Sequence, residues 1–469
     1  MNQLINVLET ATQNENGGLG YTTVGSNIVN FVTNASVLEE KWVMRKKQDY
    51  VYNLFVEALK EDPIKALASL LYSRSILNGA GQRFYFQYII TKLLIQHPKI
   101  IDLLTIAIER GWAYWGDFFS IFEIVLEKQL PVRKDFIKVV AEKLADPTET
   151  LFRKWFPRSG RVWQYTWKTL GIKPKELRKN LVAAQTVESL LGAGKVSAIK
   201  YSQVPAKSMV RNSERFQKLD HERYNSFIQD VIQGKATIKA ATIFPHEILY
   251  SKRTADEKEA QWKNMPNFIK NEATFLPVLD CSWSMHGLPM HICFSLGIYL
   301  SEHNKSVFKD RVLLFSRNAH WVHLEGSLEE KLWTLSSHAE VANTDFNAVF
   351  SLILTTSVAN RLNQNDLPSH LICITDGQFD KMSDNNDMTV FAKYRDLFRQ
   401  HGYVLPKVVF WNLRATGVFP ERLQEGVMFV GGSSPQAIKM VLEDQSPEMA
   451  VDMALKPFIP VAEQIAQLL

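Results

Sequence analysis

The stretch Val278–Gly287, VLDCSWSMHG, decides how the second half of this chain is read. Apolar residues lead into Asp280, and two hydroxyls, Ser282 and Ser284, follow at two-residue spacing. Side chains alternate along an extended chain, so residues two apart turn toward the same side. A buried strand that ends this way gathers three oxygen-bearing side chains at one point. A second apolar run, His370–Asp376 (HLICITD), also ends on an acid, and Gly377 behind it permits a tight turn. Between the two, NTDFNAV offers Thr344 at the mouth of a helix. The candidate set is therefore Asp280, Ser282, Ser284, Thr344 and Asp376: two carboxylates and three hydroxyls.

Hard oxygen donors without Cys or His select Mg²⁺, with Mn²⁺ or Ca²⁺ as alternatives, over zinc or copper. Neutral hydroxyls leave such an ion undercompensated and able to attract an outside carboxylate or phosphate. The competing reading is that the serines cap a helix and the aspartates sit in turns. His286 is the one candidate base beside a metal-bound water, and a solvated histidine at a helix start is the plainer alternative. Cys281, Cys293 and Cys373 fall in or beside strands and a helix and read as small core residues in a reduced, cytoplasmic protein.

From about Glu272 onward the texture is that of an α/β domain. ATFLPVLD, RVLLFS, HLICITD, KVVFWNL and GVMFVGG are short β-rich runs, and amphipathic segments separate most of them. Continuous apolar strands alternating with helices imply a parallel sheet covered on both faces, with ligands outside its carboxyl ends. The succession D-x-S-x-S, then Thr, then Asp resembles the metal-ion-dependent adhesion site (MIDAS) of von Willebrand factor A (vWA) domains, over about residues 273–443. That resemblance implies a Rossmann-like doubly wound sheet, with Asp280, Ser282, Ser284, Thr344 and Asp376 as the metal-site residues.

Ahead of this, from about Ser36 to Tyr250, the periodicity is helical. YVYNLFVEALKEDPIKALASLLYSRSIL spaces apolar residues by three and four and carries a start signal at Asp62-Pro63. Later segments of ten to sixteen residues close on Pro, Gly or short polar breaks, as in a bundle or α-solenoid. Residues 1–35 read as a flexible arm, 36–270 as the helical domain, and 271–469 as the vWA-like domain with C-terminal helices. The polar stretch 251–272 is the expected boundary.

Charge divides the chain differently. Residues 1–270 hold 39 Lys and Arg against 27 Asp and Glu, whereas residues 271–469 hold 15 against 22. Residues 151–253 alone carry 20 basic and 7 acidic residues, the footprint of a polyanion binder or of a merely solvated basic face. Arg153, Lys154, Arg158, Arg161 and Lys168 interleave with Trp155, Phe156, Trp163, Tyr165 and Trp167; Lys200, Lys207, Arg211, Arg215 and Lys218 follow. Cations among aromatics suit single-stranded nucleic acid, although tryptophans at helical spacing are usually core.

The segments Gly79–Arg83 (G-x-G-x-R), Trp115–Asp117 (WGD), Val204-Pro205 and Phe244–Ile248 (FPHEI), in that order before a vWA-like domain, resemble the TROVE-type, Ro-autoantigen-like proteins. The likeness is to a branch found in viruses, plants and fungi. It implies a ring of HEAT-like helical repeats closed by the vWA domain and binding small structured or single-stranded RNA. The expected function is thus a non-catalytic, cytoplasmic RNA-binding protein of ribonucleoprotein type, with a divalent-metal adhesion site that takes an acidic protein ligand. A metal-dependent scaffold or a structural component of a larger, viral assembly is the alternative, and a hydrolase based on His286 a third. No run is apolar enough for a membrane span, and the oligomeric state is open.

Overall fold

The computed structural model describes residues 11–13, 19–21, 26–181, 186–269, 273–340, 345, 347–377, 390–414, 426–440 and 447–467. Two short antiparallel strands, β1 (Ala11–Gln13) and β2 (Leu19–Tyr21), precede a long helical region. The Asp62-Pro63 signal works as the sequence implies. Asp62 ends one helix, Lys41–Glu61, and caps the next, Pro63–Arg74, its carboxylate accepting the Lys65 N–H at 2.9 Å. Helices Phe84–Gln96, Ile100–Glu109, Trp115–Glu127 and Arg133–Ala145 follow on short connections.

Three of the sequence signatures converge in this half. Asp117 is fully buried and accepts five hydrogen bonds: two from Arg74, at 2.9 and 2.7 Å, and one each from Arg83 (3.0 Å), Gln87 (2.7 Å) and the Tyr114 N–H (2.9 Å). The turn between Arg74 and Arg83 leaves no room for a side chain. A Cβ on Gly79 would stand 1.9 Å from the Tyr72 carbonyl oxygen, and Gly81, at φ +70°, would meet the Phe244 ring at 2.7 Å. G-x-G-x-R, WGD and FPHEI are therefore one packed knot that joins distant helices.

The second half holds a six-stranded sheet in the order β5-β4-β3-β6-β7-β8. Its strands are β3 (Phe275–Asp280), β4 (Arg311–Phe315), β5 (Ala319–His323), β6 (His370–Thr375), β7 (Lys407–Asn412) and β8 (Val427–Gly431). All pairings are parallel except β4–β5, so the sheet is mixed rather than wholly parallel. The edge strand β5 carries few sequence signals because its outward residues are His and Trp, whereas the helix Leu328–His338 starts on a Ser327–Glu330 capping box. β3 and β6 are buried along their whole length, which is why both read as unbroken apolar runs.

Two stretches at the expected domain edges are structured. The flexible arm does not extend through residue 35: Asn27–Ala35 is a helix with Phe31 and Ala35 fully buried. Its Thr33 carbonyl lies so close to β8 that a Cβ on Gly431 would meet it at 2.1 Å. Within the expected boundary stretch, the described residues 251–269 are structured. They contain the helix Ala255–Lys263, whose Trp262 is buried and donates to Glu302 at 2.6 Å.

The helical half is thus fastened to the sheet half at both of its ends. At its start, Gln436 donates to the Ile76 carbonyl at 2.9 Å, and the Phe458 ring packs on Tyr72 and Trp112. At its end, Tyr250 stacks on His291 and Lys258 pairs with Glu329 at 3.0 Å. One continuous apolar core runs through both halves, while residues from Leu191 to Ala260 build a separate, smaller core around Tyr201, Phe216 and Tyr224. Among the described residues no helix is long and apolar enough to cross a membrane.

Replacing Asp117 by Asn leaves the Arg74 guanidinium buried against a neutral group. A loss of about 3–5 kcal/mol is expected, read as an earlier midpoint in chemical denaturation. The surface pair Lys60–Glu57, broken by Lys60→Ala, should cost less than about 1 kcal/mol in the same assay.

Candidate functional site

The chain enters the sheet at β3, builds outward to β4 and β5, and returns to the other side of β3 for β6, β7 and β8. The crevice where the order reverses lies between β3 and β6, and that is where open α/β sheets take ligands. Asp280 is the last residue of β3, and Asp376 directly follows β6, so both buried acids stand at this point.

The local geometry is specific. Asp280 Oδ1 accepts the Ser282 N–H at 2.8 Å, and Oδ2 accepts the Thr375 hydroxyl at 2.6 Å. Thr375 in turn accepts the Gly377 N–H at 3.1 Å. Ser282 and Ser284 hold their hydroxyl oxygens 3.2 Å apart. The Ser282 side chain caps no helix, and the helix that follows, Leu288–His303, starts from Gly287. The hydroxyls are therefore not consumed as helix caps.

Burial, and secondarily the charge of Asp376, push the Asp280 carboxyl up to about 7, against the hydrogen bonds from Ser282 and Thr375. Arg414 supplies positive charge from the far side. Its Nε lies 3.6 Å from Asp376 Oδ2, and its guanidinium donates to the Ser284 carbonyl.

This donor set fits a hard divalent cation. Two adjacent ligands on an octahedral Mg²⁺ are about 3 Å apart, close to the spacing of the two serine oxygens. Two buried carboxylates side by side gain from a nearby positive ion. Asp280, Ser282, Ser284 and Asp376 are the residues that would hold it. Thr344 lies outside the described residues; its neighbour Asp345 donates its N–H to the Ser316 carbonyl at the end of β4. Among the described residues no group of three or more His, Cys, Asp or Glu is placed to hold a metal. His286 is exposed beside the Trp283 ring, and Trp283 itself is 74% exposed. The three cysteines are buried, and burial pushes their thiols up.

The basic residues separate into two groups. Arg153 must be withdrawn as a ligand contact. It is 4% exposed and its guanidinium is spent on the carbonyls of Leu144, Asp146 and Asn180. Arg158 similarly donates to the carbonyls of Arg153, Phe156 and Leu181. Arg161 pairs with Glu123 and Glu127, Lys154 with Glu188, and Lys207 with Glu247. In contrast, Lys200, Arg211, Arg215 and Lys218 are exposed, with no ion-pair partner among the described residues. Arg211, Arg215 and Lys218 follow Lys207 at four-, four- and three-residue steps along the helix Ala206–Leu219, which makes one stripe. Lys168 is exposed over the Trp167 ring. Trp112, Trp115 and Trp163 are core, whereas Trp155 is exposed.

Sequence reading overlooked Arg414. Its only signal is a position two residues beyond the end of β7, on the same edge of the sheet as the two acids.

In chelator-treated protein, a raised Asp280 carboxyl stabilises the fold fully below the unfolded value near 3.9 and progressively less as pH rises through about 7. Thermal midpoints between pH 5 and 8 should therefore fall with pH, and Asp280→Asn should flatten the profile.

Residues 275–458 match a family described as a domain of unknown function (DUF7788), and residues 168–283 match another (DUF2828). An uncharacterized protein, L728, of Acanthamoeba polyphaga mimivirus is 25% identical over 508 residues, covering 95% of this chain and 87% of that protein. The crystal structure of the Deinococcus radiodurans Ro (RSR) protein aligns with 92% of this chain and 99% of its own, at 11% identity and a TM-score of 0.37.

Proposed function

We propose that this chain is a non-catalytic RNA-binding protein of ribonucleoprotein type, with a divalent-cation rim as a second, separate grip. The observation that carries the reading is the stripe Arg211, Arg215 and Lys218. These exposed cations are not neutralised by ion pairs among the described residues, in the segment that holds the chain's excess positive charge. Phosphates are held by cations that are not already spent internally. Single-stranded or small structured RNA is the ligand class, in keeping with the Ro-like order of sequence signatures. Gripping rather than cleaving is the reading we favour: the rim joins carboxylates and hydroxyls, and His286 stands exposed beside the Trp283 ring. In the Ro-like reading the helical half is a HEAT-like repeat ring, the sheet half is a vWA domain, and the protein works in the cytoplasm.

Charge reversal at Arg211, Arg215 and Lys218 should weaken binding to a single-stranded RNA by at least about tenfold. It should also make the log–log salt dependence shallower by about 2, near 0.7 per lost phosphate contact. Fluorescence anisotropy across 50–200 mM salt reads both quantities. Wild-type protein that ignores RNA at low salt would refute the reading.

A second reading, a metal-dependent protein scaffold, is favoured by Trp283. It stands exposed between two of the rim hydroxyls, where an aromatic anchor would lie beside an acidic ligand. If this holds, partner proteins recovered after nuclease treatment should be lost with chelator and with Asp280→Ala. Recovery indifferent to both would count against it.

A further inference from the structure

The rim contains a side chain that opposes the cation it is built for. β7 ends at Asn412, whose side-chain oxygen accepts the Arg414 N–H at 3.0 Å. The intervening Leu413 N–H donates to the Thr375 carbonyl at 2.9 Å. These two bonds fasten the turn after β7 to the end of β6 and deliver Arg414 to the crevice. From there its guanidinium spans the donor set, approaching Asp376 Oδ2 at 3.6 Å and donating to the Ser284 carbonyl. Asp376 is fully buried, whereas the Arg414 side chain keeps 31% of its surface exposed and has solvent into which it can withdraw.

We propose that Arg414 is a built-in counter-cation that competes with the divalent metal for Asp376 and so sets the metal affinity of the rim. The inference rests on the divalent-cation reading of that rim. A carboxylate holds a proton, a guanidinium or a metal with the same lone pairs and the same charge. An opposite charge at about 4–6 Å shifts a carboxylate's proton affinity by 1–3 logarithmic units, and the penalty on a second cation is of the same kind. The opposing possibility is that Arg414 only clamps Ser284 and Asp376 in place for the metal. The two roles predict opposite signs.

The test is Mn²⁺ binding to the full chain, followed by the loss of the free-ion electron paramagnetic resonance signal. Arg414→Met removes both charge and hydrogen bonds; Arg414→Gln removes the charge but keeps a donor for the Ser284 carbonyl. Competition predicts that both variants bind Mn²⁺ about tenfold or more tighter than wild type, or that they bind it when wild type does not. It also predicts that the gain vanishes when Asp280→Ala is added. Unchanged affinity in both variants overturns the proposal, as does weaker binding in Arg414→Met. If none of the proteins takes up Mn²⁺, the cation reading of the rim fails and the proposal with it. That outcome is distinct from equal affinities, which remove the proposal alone. Thermal midpoints of both variants verify that the fold is intact, and two neutral replacements keep the test decisive if one of them does not fold.

Discussion

The buried Asp117 carboxylate is the constraint on which the helical half depends. It draws Arg74 from the end of one helix, Arg83 and Gln87 from the start of another, and the Tyr114 N–H from its own first turn. A single carboxylate facing two guanidiniums is overcompensated. Arg83, half exposed to solvent, lets water carry part of the excess, while Arg74 is closed in with the Tyr114 ring beside it. The tight turn that brings the two arginines together requires Gly79 and Gly81, and the ring pressed against Gly81 is Phe244. The Phe244 segment leads through Tyr250 to His291, in the helix that follows the serine loop. The knot therefore lies one helix away from the rim without belonging to it.

What the sequence disclosed follows from how each element is stabilised. The Pro63–Arg74 helix is announced by Asp62 and Pro63 because its cap is local, and β3 and β6 are visible because both faces are buried. The Asn27–Ala35 helix is short and polar-flanked, and its burial comes from packing on the following helices, with Phe31 against Phe55, and on β8 about 400 positions later. The Ala255–Lys263 helix is masked by its charge, although Thr254 and Glu257 form a capping box and Glu257, Ala260, Gln261 and Trp262 are buried. Of the rim, the placement of Asp280, Ser282, Ser284 and Asp376 at the ends of β3 and β6 is legible because strand ends follow a short local pattern. That of Arg414 is not, since it comes from a turn bolted to a neighbouring strand. Among the basic residues, sequence could not separate Arg153, which closes off backbone carbonyls, from Arg211, which faces water. Both are cations on helices, and only tertiary packing distinguishes them.

The proposed RNA stripe and the proposed cation rim lie in parts of the chain with opposite charge balance. The segment 151–253 concentrates 20 basic against 7 acidic residues, while residues 271–469 hold 15 against 22. A polyanion is drawn to the first and repelled by the second, and at physiological salt each field reaches only about 8 Å beyond its source. The cationic stripe stands over its own small core around Tyr201, Phe216 and Tyr224, separate from the core that carries the rim. If the two are coupled, the connection runs through solid contacts: Lys207 pairs with Glu247, and the same segment's Tyr250 stacks on His291.

The proposed cation rim would give the destabilising acid at Asp280 a use. A carboxyl pushed up to about 7 by burial weakens the fold at neutral pH, and an asparagine or serine would relieve it. Its two oxygens are already committed to Ser282 and Thr375, so its orientation is fixed before any ligand arrives. An acid that is oriented and buried in this way is a poor structural element; in the proposed cation reading it would be preorganised, since the cost of removing it from water is met during folding rather than at binding. Arg414 then moderates what the buried pair would otherwise demand, holding Asp376 from the exposed side of the crevice.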